Sequence, residues 1–246
     1  SGKTLIQVVD NGCGMTQQDA IMSFERHATS KITSAQDLFS LFTKGFRGEA
    51  LASICAVAHV DMKTRREKDE LGFHIVNEGS KIKIQDPTST QQGTSISVKN
   101  LFFNLPARRK FLKSNSVETR HIIDEFQRVA LIHPEITFTL LNNESEVYHL
   151  EKGNFRQRII SIFGKSFEEK LVPIQEDADI VSINGFIGKP SFAKKTRGEQ
   201  FFFVNNRFIK NSYLNHAIGH AMEDLLPPKS YPSYFVQLEI DPAEVD

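Results

Sequence analysis

A two-domain α+β protein is what the sequence predicts, on three observations. Short apolar and β-branched runs at Thr4 to Asp10, Val57 to Thr64, Leu71 to Val76, Ile82 to Ile84 and Thr94 to Val98 read as strands. Stretches with helical spacing stand apart from them, above all Val117 to Leu131, where Ile122, Ile123, Phe126 and Val129 make one apolar stripe. The length of 246 residues exceeds that of most single domains. A boundary is expected near Glu151-Lys152-Gly153, giving domains 1–150 and 151–246.

Composition narrows the class. Hydrophobic residues at 39% and charged residues at 24% are ordinary for globular material. Thirty basic residues balance thirty acidic ones, so any nucleic-acid surface must be a local patch. Two cysteines, Cys13 and Cys55, cannot build a disulfide framework and fit a reduced compartment. No apolar run reaches membrane-spanning length and no signal peptide is visible, so a cytoplasmic protein without membrane contact is expected. There is no initiator Met and strand-like residues begin at once, which reads as a piece of a longer protein.

Thr4 to Asp10 reads as a buried strand ending in the turn Asn11-Gly12-Cys13-Gly14-Met15. A carboxylate at the end of such a strand needs a donor. Asp10 either caps the turn, the common fate of Asp before Asn-Gly, or accepts a hydrogen bond from the exocyclic amino group of adenine. Guanine presents a carbonyl there, so the second reading selects ATP over GTP. Gly12 and Gly14 would let a flat base approach the backbone. Thr16 to Asp19 resembles a capping box opening a helix through Ile21, Met22 and Phe24. The hydroxyls and ammonium of Thr29, Ser30 and Lys31 suit phosphate oxygens or a solvated loop. Ser34 to Asp37 starts a further short helix, and Ser23 to Thr43 can serve as a lid.

Gly45-Phe46-Arg47-Gly48-Glu49-Ala50-Leu51 then feeds a helix through Ala52 to Ala56. Its two glycines are either plain turn residues or a cradle bringing loop amides to a phosphate. Neither a P-loop nor a Gly-x-Gly-x-x-Gly spacing is present. Glu49 in the first helical turn would repel phosphate, so its side chain is expected to turn away and hold the loop through Arg47.

Downstream, Arg65 to Asp69 is a solvated hairpin tip, Pro106 suits a first helical turn, and Ser116 caps the long helix that Pro134 ends. Ile136 to Leu141 is a strand turning at Asn142-Asn143, and Asn154 to Phe163 a helix stopped by Gly164. Strands follow at Ile180 to Ile187, Gln200 to Val204 and Tyr234 to Ile240, with a hairpin turn at Asn205-Asn206 and a helix from Ser212 to Leu225. His216 and His220 stand four apart on that helix but lack the Glu of a metalloprotease motif, so no metal site is expected. Lys194, Lys195 and Arg197, with Arg207 and Lys210, are local basic clusters, as are Arg108, Arg109, Lys110 and Lys113.

Three boxes together resemble the N-terminal ATPase region of MutL-type DNA mismatch-repair proteins, within the gyrase, Hsp90, histidine-kinase and MutL (GHKL) superfamily. They are Asp10 to Met15, Arg26 to Ile32 and Gly45 to Ile54; the likeness continues through Gly93-Thr94, Asn100 to Leu112, Phe203 to Arg207 and Glu239 to Pro242. The resemblance implies a Bergerat-type α/β sandwich with a mixed sheet, followed by a ribosomal-protein-S5-like α/β domain. It implies ATP bound by Asp10, Asn11, Gly12, Gly14, Thr29, Ser30, Lys31, Gly45, Phe46, Arg47, Gly48, Glu49, Ala50, Leu51 and Thr94, with Thr94 beside Asp10 at the adenine. It also implies Mg²⁺, held by a residue outside these 246, as are the general-base Glu and the lysine that reaches the γ-phosphate. The chain by itself is therefore expected to carry no catalytic residue and not to hydrolyse ATP. The intact protein is expected to be an ATPase that dimerises on ATP, meets a mismatch-recognition protein and other repair proteins, and touches DNA through Lys194, Lys195, Arg197, Arg207 and Lys210. A different GHKL ATPase, of topoisomerase or kinase type, and a DNA-binding scaffold with a vestigial nucleotide site are the competing readings.

Overall fold

The computed structural model describes residues 2–29, 31 and 43–244. The chain falls into two compact units, residues 1–122 and 123–246.

The first unit is built on the sheet β1-β5-β2-β3-β4, from β1 (Leu5–Asp10), β2 (His59–Arg65), β3 (Gly72–Glu78), β4 (Lys81–Thr88) and β5 (Gly93–Lys99). Every pair in it is antiparallel. Alternation sends Val60 and Met62 of β2 and Phe73 and Ile75 of β3 inward, onto Ala20, Phe24 and Cys55. Ala20 lies on α1 (Gln17–Met22) and Cys55 on α2 (Ala50–Cys55). Fully burying side chains such as Met62 and Ile75 stabilises by about 1.5–3 kcal/mol each. Burial pushes the Cys55 thiol up to about 12, so it packs as a neutral residue. The α1 start is set by Thr16, whose Oγ1 accepts from the Asp19 amide at 2.9 Å while its hydroxyl donates to Asp19 Oδ2 at 2.7 Å. The tip between β2 and β3 is closed by Arg66, which donates two bonds to the Asp69 carboxylate at 2.8 and 2.9 Å.

One expectation is corrected here. The β1 strand is not buried: Val8 is 62% and Val9 68% exposed. Among the described residues β1 pairs only with β5, at the edge of the sheet, and the packed core rests on β2 and β3. Periodicity identified the strand but carried no information on which strand would lie outermost. The helix expected at Ser34 to Asp37, and most of the proposed lid, lie outside the described residues.

Helix α3 (Pro106–Phe111) opens with its proline in the first turn, and α4 (Asn115–Ile132) begins in the first unit and ends in the second. Ser116 lies inside α4 rather than capping it, and Val129, expected on the core stripe, is 42% exposed. Burial is instead concentrated at Ala130, Leu131 and Ile132.

In the second unit the sheet order is β11-β10-β12-β9-β8, from β8 (Leu171–Asp177), β9 (Val181–Gly188), β10 (Gln200–Val204), β11 (Arg207–Phe208) and β12 (Tyr234–Ile240). β10 and β12 are parallel, and the chain between them runs through β11 and α6 (Ser212–Ala221), the crossover that parallel pairing requires. Asn205 and Asn206, at φ 47° and 64°, make the two-residue turn from β10 to β11. β8 was not legible in the sequence, because Pro173 and its acidic end hide it; proline is tolerated there on an edge strand. Helix α5 (Phe155–Phe163) is opened by a full capping box between Asn154 and Gln157 and closed at Gly164. The hairpin of β6 (Phe138–Asn142) and β7 (Ser145–Leu150) completes the unit. Leu150 and Ile159, on either side of the boundary expected near Glu151-Lys152-Gly153, share one core with Leu131, Phe203 and Phe235.

Candidate nucleotide site

At the end of β1 the Asp10 carboxylate is held by two amides. Oδ1 accepts from Gly12 N at 2.9 Å and from Thr94 N at 3.1 Å. The turn-capping reading of Asp10 is thus the observed one, and the turn in its turn orients the carboxylate. Among the described residues Oδ2 accepts no hydrogen bond, which leaves it for a donor from outside. Register pairs Asp10 directly with Thr94, so the end of the first strand meets the start of β5 at the two residues that the resemblance places side by side. The meeting is close. A Cβ on Gly93, which has φ +109°, would lie 2.0 Å from the Asp10 carbonyl oxygen, so only glycine fits. Gln92 Nε2 reaches the Gly12 carbonyl at 3.4 Å, and Cys13, Arg66, Lys68 and Gln92 border an opening of about 350 Å³ beside this turn.

The glycine box forms a second feature. Gly48 has φ +64°, and a Cβ there would stand 2.3 Å from the Ala28 carbonyl oxygen. The His27 amide donates to the Gly48 carbonyl at 3.1 Å. The structure therefore brings His27 and Ala28 against Gly48 and Glu49 of the box. Thr29 Oγ1 accepts from the Lys31 amide at 3.1 Å, so this hydroxyl also shapes its own loop. Ser30 lies outside the described residues. Helix α2 has only six residues, and phosphate binding here would rest on loop amides more than on a helix dipole. Arg47 lies over the Phe46 ring, 5.4 Å from its centroid. Glu49 turns aside as expected, but to His27 Nδ1 at 3.4 Å rather than to Arg47. Among the described residues no three acid, histidine or cysteine side chains are placed to hold a metal ion such as Mg²⁺.

Thr64 is the residue that sequence reasoning missed. It is 1% exposed and its hydroxyl meets Met15 N, Gly93 O and Thr94 Oγ1 within 3.1 Å. Its one signal was a hydroxyl at an inward position of a strand otherwise lined by Val60 and Met62, which demands buried partners.

In the second unit Arg197 lies 4.7 Å over the Tyr231 ring and, with Lys210 and Lys229, lines a cavity of about 770 Å³. Lys194 is ion-paired with Glu199, while Lys195 is exposed and Arg207 half-buried. The His216 and His220 rings stack 6.2 Å apart, and His220 faces Glu223.

An antiparallel sheet with a buried helical face, an acid set by amides at a strand end and a glycine box against His27 and Ala28 make a fold that matches a solved MutL ATPase domain. The mixed second sheet places an S5-like unit after it. The family model described as the C-terminal domain of DNA mismatch repair protein matches residues 159–246. Over all 246 residues the chain is 65% identical to the DNA mismatch repair protein MutL of Christiangramia forsetii and 63% identical to that of Flavobacterium psychrophilum. It spans 40% of the length of each. Among solved structures, the N-terminal domain of a DNA repair protein aligns with TM-score 0.83 at 26% identity, over 100% of this chain and 78% of that one. The Aquifex aeolicus MutL ATPase domain complexed with ADP aligns with TM-score 0.69 at 25% identity, over 98% and 81%. The resemblance to the N-terminal ATPase region of MutL-type mismatch-repair proteins therefore extends across the whole chain. No helix among the described residues is long and apolar enough to cross a membrane.

Proposed function

We propose that these residues bind ATP within a MutL-type mismatch-repair protein, as the nucleotide-gated part of a dimerising clamp that couples mismatch recognition to strand removal. The observation that carries the reading is the Asp10 carboxylate, fixed through Oδ1 by Gly12 and Thr94 so that Oδ2 is an oriented acceptor for the adenine amino group. Asn11, Gly12 and Gly14 flank the base, and the amides of Gly45 to Leu51 with Thr29, Ser30 and Lys31 take the phosphates. The ADP in the Aquifex aeolicus neighbour supports a nucleotide as the ligand. In the whole protein, ATP binding brings two copies together. Hydrolysis needs a base, and neither site acid is suited: Asp10 is engaged by two amides and Glu49 faces His27. The 246 residues alone are thus expected to release phosphate no faster than background. Lys195, Arg197, Arg207 and Lys210 provide sequence-independent contacts to DNA phosphates, whereas Lys194, expected with them, is paired with Glu199 and adds little.

The test is a titration of the full-length protein with a non-hydrolysable ATP analogue and magnesium. Asp10→Asn replaces an acceptor oxygen by a donor and should weaken binding at least tenfold. Gly48→Ala, strained at φ +64° and blocked by Ala28, should weaken it comparably. Binding that both variants leave intact would refute the reading.

A further inference from the structure

Thr64 has more bonding partners than a packed threonine requires, and counting its protons decides what each one does. A carbonyl cannot donate, so the single Thr64 hydroxyl proton goes to Gly93 O, at 3.1 Å. The Met15 amide donates to Thr64 Oγ1 at 3.0 Å, taking one lone pair. The 3.0 Å contact between Thr64 Oγ1 and Thr94 Oγ1 must then be a bond in which Thr94 donates. Every bonding position of Thr64 is filled, and the Thr94 proton is spent inward. Thr94 faces outward only as an acceptor, next to the Asp10 carboxylate that its own amide holds.

We infer that Thr64 is a positioning and specificity-determining residue for the base end of the nucleotide site. It does this in two ways. It ties the turn after Gly14 to the start of β5, and it locks Thr94 as a second acceptor beside Asp10. Two acceptors side by side match an exocyclic amino group and reject a ring carbonyl in the same place, because a carbonyl leaves both unpaired and repels both. The inference rests on the ATP reading above, and goes beyond it by placing discrimination between amino and carbonyl purines in a buried residue that touches no ligand.

The experiment measures equilibrium binding of ATP and of inosine triphosphate to the full-length protein and to Thr64→Val and Thr64→Ser. Valine keeps the shape and frees the Thr94 proton to turn outward; serine keeps the hydroxyl. Thr64→Val should weaken ATP binding about tenfold while changing inosine triphosphate binding far less, so that the ratio of the two affinities collapses. Thr64→Ser should restore the ratio. A purely structural role would weaken both nucleotides together and leave the ratio unchanged, and that result overturns the inference. A serine variant that folds yet behaves like the valine one overturns it too. Absence of ATP binding by the unmodified protein would instead overturn the nucleotide reading beneath it, before any variant is compared.

Discussion

At the scale of single residues, the charges of this chain act through a few well-placed partners. Asp61 on β2 meets His74 Nε2 through Oδ1 and Lys99 Nζ through Oδ2, each at 3.0 Å. Burial acts to raise its carboxyl, but the hydrogen bonds from Lys99 and His74 outweigh that and hold it below the usual carboxylate range. A carboxyl depressed in the folded state stabilises above its unfolded value, and that contribution is lost as pH falls through the folded one. Asp61→Asn should therefore cost about 0.5–1 kcal/mol at neutral pH, with the gap from the parent closing in acid; parallel urea melts across pH check it. The residue scale is also where local sequence reads best and worst. Asp10 and Gly48 announce themselves by type and spacing. Thr64 does not, because its partners Met15, Gly93 and Thr94 stand up to 49 positions away.

At the scale of elements, helix ends show how distant side chains complete what local sequence leaves open. The last carbonyls of α4 have no partners within the helix. Arg158 of α5, only 2% exposed, supplies one: its guanidinium donates to Ala130 O at 3.0 Å, and also to the Pro134, Ile136 and Glu151 carbonyls at 3.0, 2.6 and 3.2 Å. Burial lowers its pKa, opposed by the Glu135 carboxylate, yet it lies over the Phe138 ring with four acceptors around it. One planar fork thus joins the end of α4, the following loop and the start of the next helix. Lysine has no such fork, so Arg158→Lys should destabilise by roughly 2–4 kcal/mol, read as a lowered denaturation midpoint with unchanged slope. By contrast α5 itself was legible from sequence, because Asn154, Gln157 and Gly164 encode its start and stop within a dozen residues.

At the scale of the whole molecule, the first unit carries the nucleotide features, while the second, though richer in acids than in bases, holds the local cluster Lys194, Lys195, Arg197, Arg207 and Lys210. If DNA binds here as proposed, the cations of the second unit differ in what they have left to offer it. Lys194 is committed to Glu199, whereas Arg197 and Lys210 line an open cavity. Binding to DNA of any sequence should weaken steeply with salt. Removing Lys210 or Arg197 should lower the slope of log affinity against log salt by about one each, while Lys194→Ala should change it little. Fluorescence anisotropy on a labelled oligonucleotide across a salt series measures all three.

Taken alone, the sequence determined most of the strands and helices, β8 excepted, together with the Asp10 turn and the Gly48 box. Each of these is encoded within a window of a few to twenty residues, by periodicity, caps and turn types. Tertiary structure alone decided that β1 is an exposed edge, that Glu49 answers to His27, and that Arg158 closes α4. It also decided that Thr64 governs the proton of Thr94. These outcomes depend on which segments become neighbours, and burial with hydrogen-bond geometry sets that only once the chain has closed on itself.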